Sequence, residues 1–357
     1  METAVRVAAE AVELKKGRDF SLDVLKSLAI FGVIVIHVCS YQDPVRSFGW
    51  VASITWGSLV RASVPIFFMC SGALLLSPDR PFSAKQFFQK NFLRIVVAMF
   101  VWAMGYQIYH LTVDGNLTLQ GLWQAVKAVL LFHQEFHLYY LQILLIVYLC
   151  LPITRILTQY ATRQQLRYFL LLWFALGIVY PTVLPFWPFT LLSGIPLQYK
   201  INMTYAALGY GVLGFYLKRY PPQRRRGSVL LALCGFFLIW GGTYVFSLRG
   251  GTLYQGFFEG MSPGTCLLAA GIFGFCVKLS PPMDQRIKAA AVYLSKASFC
   301  IYLTHVFFIY LLSGAGVSTG CLSTMISIPL IACGVFLCSL PVYVVLSHIP
   351  VVRKWLV

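Results

Sequence analysis

The chain is 357 residues long, 59% hydrophobic and only 11% charged, with a mean hydropathy of +0.76. A soluble globular protein of this size needs more polar cover, so the composition excludes that class and indicates an all-α polytopic membrane protein. Its 28 Lys and Arg against 11 Asp and Glu give a net charge of +17; in a membrane protein such an excess is read by where the basic residues fall, and no nucleic-acid partner is expected.

Residues 1–20 contain AVRVAAEAVELKKGR, apolar at helical spacing with a basic end, and are expected to form a cytoplasmic or interfacial segment. The segment lacks the long apolar core of a cleavable signal peptide, so no processing is expected. At about 20 apolar residues per span, ten helices follow, over about 22–40, 53–76, 93–111, 138–154, 168–185, 204–217, 228–247, 263–279, 292–313 and 323–346. Together they form one transmembrane domain over 21–348, followed by a tail at 349–357. With both termini cytoplasmic, 23 of the 28 basic residues lie on the cytoplasmic side, Arg46, Lys127, Lys200 and Arg249 lie opposite, and Arg61 sits inside the second span. That asymmetry supports the even helix count and the orientation.

Between the third and fourth spans, DGNLTLQGLWQAVKAVLLFHQEF is expected to hold a half-buried or surface helix. The ten cysteines are scattered without a C-x-x-C pair, which predicts small buried hydrophobes and neither a disulfide framework nor a zinc site. Rossmann and P-loop glycine patterns are absent.

The first span, LDVLKSLAIFGVIVIHV, is the chemically informative one. Lys26 and His37 are eleven residues apart, which places both on one helix face about 16 Å apart along the axis. Asp23, one turn before Lys26, is positioned to pair with it. An ionisable group deep in a span is costly unless partnered, so His37 is read as a functional residue. Lys26 has two readings, a positive-inside anchor or the start of a polar track from the cytoplasm.

These residues resemble the first-helix signature of the acyltransferase-3 family of membrane O-acyltransferases. Four further stretches are similar to that family's motifs in the same order: SVPIFFMCSGALLL at 63–76, KNFLRI at 90–95, HLYYLQILLIVYLCLP at 137–152 and SKASFCIYLTHVFF at 295–308. The run MTYAALGYGVLGFYLKR at 203–219 is similar to the enterobacterial common antigen O-acetyltransferase branch. Two positions depart from the pattern, since Lys26 and Lys90 stand where the family usually has arginine, and lysine meets phosphate as a point charge without the bidentate fork.

The resemblance implies an O-acetyltransferase of the bacterial inner membrane. It would take an acyl group from cytoplasmic acyl-CoA, acetyl-CoA above all, and place it on a sugar hydroxyl of an envelope polysaccharide or its lipid-linked precursor. Acyl-CoA would then be a co-substrate, no cofactor or metal would be bound permanently, and membrane lipids and envelope-glycan biosynthesis proteins would be the remaining partners. Lys26, Lys90 and Arg94 would hold the donor phosphates if the first and third spans adjoin. His37 would be the general base that activates the acceptor hydroxyl.

Glu135 and His137, with His133 four residues before His137, are read either as an acceptor-orienting group or as an interfacial polar cap; the spacing does not put all three on one helix face for a metal. His305, just after Tyr302, has a site reading and a packing reading. Ser71 is read as a small residue at a helix crossing, Arg61 as lining the acceptor route, and His110 and His348 are given no role. The alternative function is a secondary transporter of envelope glycans, since ten helices with buried His and Arg also suit alternating access.

Overall fold

The computed structural model describes residues 18–39, 41, 43–190, 203–278 and 284–356, and every element among them is helical. The predicted N-terminal helix and Lys200 lie outside the described residues. Helix α1, Phe20–Val38, starts where Asp19 accepts the Ser21 backbone N–H. Of the seven helices long and apolar enough to cross a membrane it is the most enclosed, with 61% of an 18-residue apolar stretch buried against 17% for each of Arg225–Gly250 and Thr324–His348. The helix that carries Lys26 and His37 is therefore packed by protein on most sides, while the other two present their leucines and valines outward.

The second predicted span is broken in two. Helix α2, Phe48–Val60, is capped by Ser47 and ends at Arg61, and α3, Ser63–Leu75, continues the path. The third span begins earlier than predicted: Ala84–Phe87 and a π turn over Phe88–Phe92 lead into α4, Leu93–Val113. Helix α5, Leu119–Leu130, is the amphipathic helix expected between the third and fourth spans; Thr118 caps it, Gly121, Ala125 and Val129 face inward, and Leu119, Trp123 and Leu130 are exposed.

A 3₁₀ turn, Phe136–Leu138, opens α6, Tyr139–Leu149, and α7, Leu151–Tyr160, follows at a 55° bend with Pro152 in its first turn. Helix α8, Arg163–Leu172, starts at a capping box made by Thr162 and Gln165, passes through a π segment, Trp173–Val179, and ends with Tyr180–Val183. Then come α9, Met203–Arg219; α10, Arg225–Gly250; α11, Pro263–Cys276; α12, Gln285–Gly314; α13, Thr324–His348; and α14, Pro350–Trp355.

Among the described residues seven helices are long and apolar enough to cross a membrane, or eight if α6 and α7 form one bent span. The other two predicted spans correspond to α9 and to the 14-residue α11. The predicted tail folds into α14, which packs on α4.

Contacts among the loops gather the predicted cytoplasmic ends on one face. Lys218 pairs with Asp19 and Arg219 with Asp79, Arg155 donates to the carbonyls of Leu75 and Arg80, and Arg225 to that of Lys278. The principal packings are α10 on α11, α3 on α9, and α12 on both α1 and α13. At the α3–α9 crossing the backbones touch: a Cβ on Gly72 would lie 1.9 Å from the Gly211 carbonyl oxygen. Gly72 on α3 and Gly214 on α9, the latter against the Met69 backbone, are small residues that permit this approach. All ten cysteines are free, with Cys39, Cys70, Cys266, Cys276 and Cys300 buried and Cys234, Cys321, Cys333 and Cys338 exposed.

Candidate active site

Two features meet along α1. The first is a cavity of about 290 Å³ on the face where the basic ends gather. Lys26 of α1, Arg94 of α4 and Lys296 of α12 line it, and among the described residues no carboxylate does. Asn91, Ser71, Ser295 and Ser298 add neutral polar atoms, and Tyr140, Tyr148 and Tyr302 form part of its wall. The first and third spans thus face each other across this cavity. The Arg94 guanidinium lies 5.2 Å over the Phe299 ring, which holds its planar fork in place at the wall.

Lys90 is not part of this wall. It is exposed on the π turn, and Asn91, one residue on, faces the cavity instead. Adjacent helix positions differ by about 100°, and which of them faces the bundle is set by how α4 is rotated in its packing. The residue missed in its place, Lys296, belongs to a visible pattern: Ser295, Ser298, Phe299 and Tyr302 follow i, i+3, i+4, i+7 and form one helix face, with Lys296 at its edge.

Asp23 does not pair with Lys26. Its buried carboxylate accepts from Arg18 Nε at 2.7 Å and from a terminal Arg18 nitrogen at 2.9 Å, a two-pronged pair across the first turn. Lys26 is left to present its charge to the cavity.

The second feature is a cluster of three histidines. His37, half-buried on α1, has its ring 5.3 Å from that of His305 on α12 and 6.5 Å from that of His137 in the 3₁₀ turn, and the latter two are 5.2 Å apart. His137 and His305 are 1% and 0% exposed. His305 Nδ1 lies 2.7 Å from the Tyr302 carbonyl; a carbonyl only accepts, so Nδ1 carries the proton and Nε2 keeps a lone pair in the neutral ring. Among the described residues that Nε2 is buried without a hydrogen-bond partner, and the His137 ring has only the Leu303 carbonyl, shared with the Tyr106 hydroxyl, within reach. Buried polar atoms are nearly always satisfied, and exceptions concentrate at working sites.

Cavity and cluster share Tyr302. Its ring lines the cavity and stands 5.6 Å from His137 and 6.0 Å from His305, and its hydroxyl donates to the His137 carbonyl at 2.5 Å.

Arg61, which does not line the cavity, lies within electrostatic range of His37, Tyr41 and Tyr139. Its guanidinium lies 4.9 Å over the Phe258 ring and its Nε donates to the Phe258 carbonyl. The exposed Phe136 ring stands 5.1 Å from His37.

His133 and Glu135 do not join His137. His133 is exposed, and the Glu135 carboxylate turns to His110 Nε2 and to the Tyr310 hydroxyl, 2.8 Å from each. His110, which the sequence left without a role, thus helps tie the start of the His137 turn to α4, and Tyr310 ties it to α12. His348 is exposed, with Nδ1 2.6 Å from the Val344 carbonyl.

The family model for acyltransferase-3, described as an acyltransferase domain, matches residues 19–347. The chain belongs to that family and is a multi-pass membrane enzyme that transfers acyl groups. No curated protein and no solved structure matches it.

Proposed function

We propose, taking that membership as the premise, that the enzyme moves an acyl group from cytoplasmic acyl-CoA to a sugar hydroxyl of a bacterial envelope polysaccharide or its lipid-linked precursor, in the cytoplasmic membrane. Acetyl is the group we favour, and the likeness of Met203–Arg219 to the enterobacterial common antigen branch makes an amino-sugar residue the first acceptor to try.

The observation that carries this reading is the basic cavity, lined by no carboxylate among the described residues, that ends on the same tyrosine that touches two of the three clustered histidines. Three cations with no acid among them suit a polyanionic donor. At about 290 Å³ the cavity takes part of such a molecule, with the remainder outside its mouth. The roughly 16 Å from Lys26 to His37 is of the order of a pantetheine arm, so a donor held by its phosphates at Lys26, Arg94 and Lys296 presents its thioester at the histidines.

His37 is the base. It is half-buried where His137 and His305 are sealed, so a hydroxyl can approach it. His37 takes the acceptor proton as the oxygen attacks the thioester carbonyl; the new C–O bond forms, the C–S bond breaks, and the proton passes to the departing thiolate. His305, with Nδ1 fixed on the Tyr302 carbonyl, positions the His37 ring. Arg61 and Phe136 stand on the acceptor side.

The test is acyl-CoA thioester consumption by the purified full-length protein in detergent, with and without envelope glycan. His37→Ala is expected to lose about 10²- to 10⁴-fold in turnover with unchanged thermal unfolding. A well-folded His37→Ala protein that keeps more than about a third of wild-type turnover removes His37 from the chemistry.

A further inference from the structure

A second cavity, of about 430 Å³, lies between α8, α9 and α11 and shares no lining residue with the first. Trp173, Phe174, Leu213, Leu217 and Leu267 make its walls almost wholly apolar, and Arg167 and Tyr216 are the polar residues that line it. The groove runs along α8 from Arg167 to Phe174, about 10 Å at the helical rise. Its far end falls in the π segment Trp173–Val179, a backbone departure that often marks functional positions in helices.

The polar end is a built cluster. Arg167 Nε donates to the Tyr216 hydroxyl at 2.7 Å, and Arg163, whose guanidinium lies 4.8 Å over the Tyr220 ring, acts on the same hydroxyl. The Tyr216 and Tyr220 rings stand 5.2 Å apart. Among the described residues neither arginine has a carboxylate partner, although their neighbours Lys218 and Arg219 pair with Asp19 and Asp79. Two guanidiniums thus converge on one neutral oxygen in the first two turns of α8, on the face where the basic loop ends gather. This is the level of the membrane interface at which anionic headgroups sit.

We propose that this groove is a binding site for an anionic phospholipid, with the phosphate between Arg163 and Arg167 and one acyl chain along Trp173, Phe174 and Leu213. An arginine pair offers phosphate bidentate, charge-assisted hydrogen bonds. The apolar groove gives the chain a protein wall in place of loosely packed neighbouring lipid. Charge complementarity selects the occupant: a zwitterionic lipid of the same chain length fills the groove equally well but brings a net-neutral headgroup to two uncompensated cations.

The experiment uses purified full-length protein, delipidated in detergent. Phosphatidylglycerol and phosphatidylcholine of identical acyl chains are titrated and bound lipid is read by native mass spectrometry, with thermal unfolding in parallel. Phosphatidylglycerol is expected to bind more tightly and to raise the unfolding temperature. The Arg163→Gln/Arg167→Gln protein is expected to lose about 30-fold in phosphatidylglycerol affinity, the worth of two arginines toward an anionic headgroup, with phosphatidylcholine binding unchanged. Equal binding of the two lipids to the wild-type protein overturns the proposal without any variant. So does a double variant that keeps the preference, or displacement of phosphatidylglycerol by equimolar polyisoprenyl phosphate, which would assign the groove to a carrier lipid. Displacement by inorganic phosphate alone also overturns it, since the apolar groove would then contribute nothing.

Discussion

The Tyr302 hydroxyl donates to the backbone carbonyl of His137 at 2.5 Å while its ring lines the basic cavity. One side chain therefore ends the cavity and anchors the turn that carries a clustered histidine. Tyr302→Phe keeps the ring and removes the bond, leaving the His137 carbonyl with its backbone N–H partner alone, at a cost of about 0.5–1.5 kcal/mol. The expected result is a lower kcat with donor KM within about twofold, because turn position changes and the cavity's cations do not. A kcat equal to wild type would separate the turn from the chemistry.

Donor affinity discriminates the cavity residues from Lys90. Gln at position 26, 94 or 296 is expected to raise the KM for acyl-CoA, each charge-assisted phosphate contact contributing about 1.5–3 kcal/mol, or roughly 10- to 150-fold. Lys90→Gln, outside the wall, is expected to stay within about twofold of wild type. Lys26→Arg should bind donor at least as well, since the planar fork engages phosphate through two bonds. If Lys26 is only a topological anchor, Lys26→Gln will alter cysteine accessibility of the loops and leave the donor KM of correctly inserted protein unchanged.

Acid stability reports on Asp19, which lies just outside the first span. Burial by itself pushes its carboxyl up, but the Lys218 ammonium and the hydrogen bonds from Ser21 and Leu22 outweigh it and hold the pKa below the usual carboxylate range. A carboxyl depressed on folding contributes stability that is complete above its unfolded pKa of about 4 and is lost as pH falls through the lower folded value. Asp19→Asn keeps a capping side chain but loses the charge. It should cost about 1 kcal/mol or less at pH 7, and its unfolding temperature should fall less steeply than wild type below about pH 4. Parallel curves from pH 7 to 3 would show that the ion pair contributes nothing to stability.

The α3–α9 crossing is asymmetric. A methyl added at Gly72 meets the Gly211 carbonyl oxygen at 1.9 Å, whereas one added at Gly211 finds its nearest neighbour, the Gly72 Cα, at 3.8 Å. Gly72→Ala should therefore destabilise by about 1–3 kcal/mol through overpacking, and Gly211→Ala should be neutral or slightly stabilising through lower unfolded-state entropy. Thermal unfolding of the two proteins in one detergent decides it; equal losses would mean the helices shift freely at this crossing.

Long apolar runs and the bias of basic residues are local properties, and they sufficed for an all-helical membrane fold, because lipid allows only internally satisfied backbone to span it; the family was legible only in the motif resemblances along the chain. His37 was legible for the same reason, as an imidazole without a partner in its own apolar segment. Lys26 and His37 on one face followed from helical geometry.

What local sequence does not carry is rotation and adjacency. Asp23 has two cations within reach, Lys26 one turn on and Arg18 five residues back, and only the packed first turn decides for Arg18. Lys90 and Asn91 are neighbours in sequence, and the rotation of α4 chose the asparagine for the cavity wall. His37, His137 and His305 come from three parts of the chain, successive members lying 100 and 168 positions apart. Their rings meet within 6.5 Å because α12 packs on α1 and the Glu135 contacts to His110 and Tyr310 pin the intervening turn. Composition and periodicity determined that α1 would be a membrane helix with an ionisable side chain deep inside it. Tertiary packing decided which residues surround it, since such contacts depend on the fit of distant surfaces.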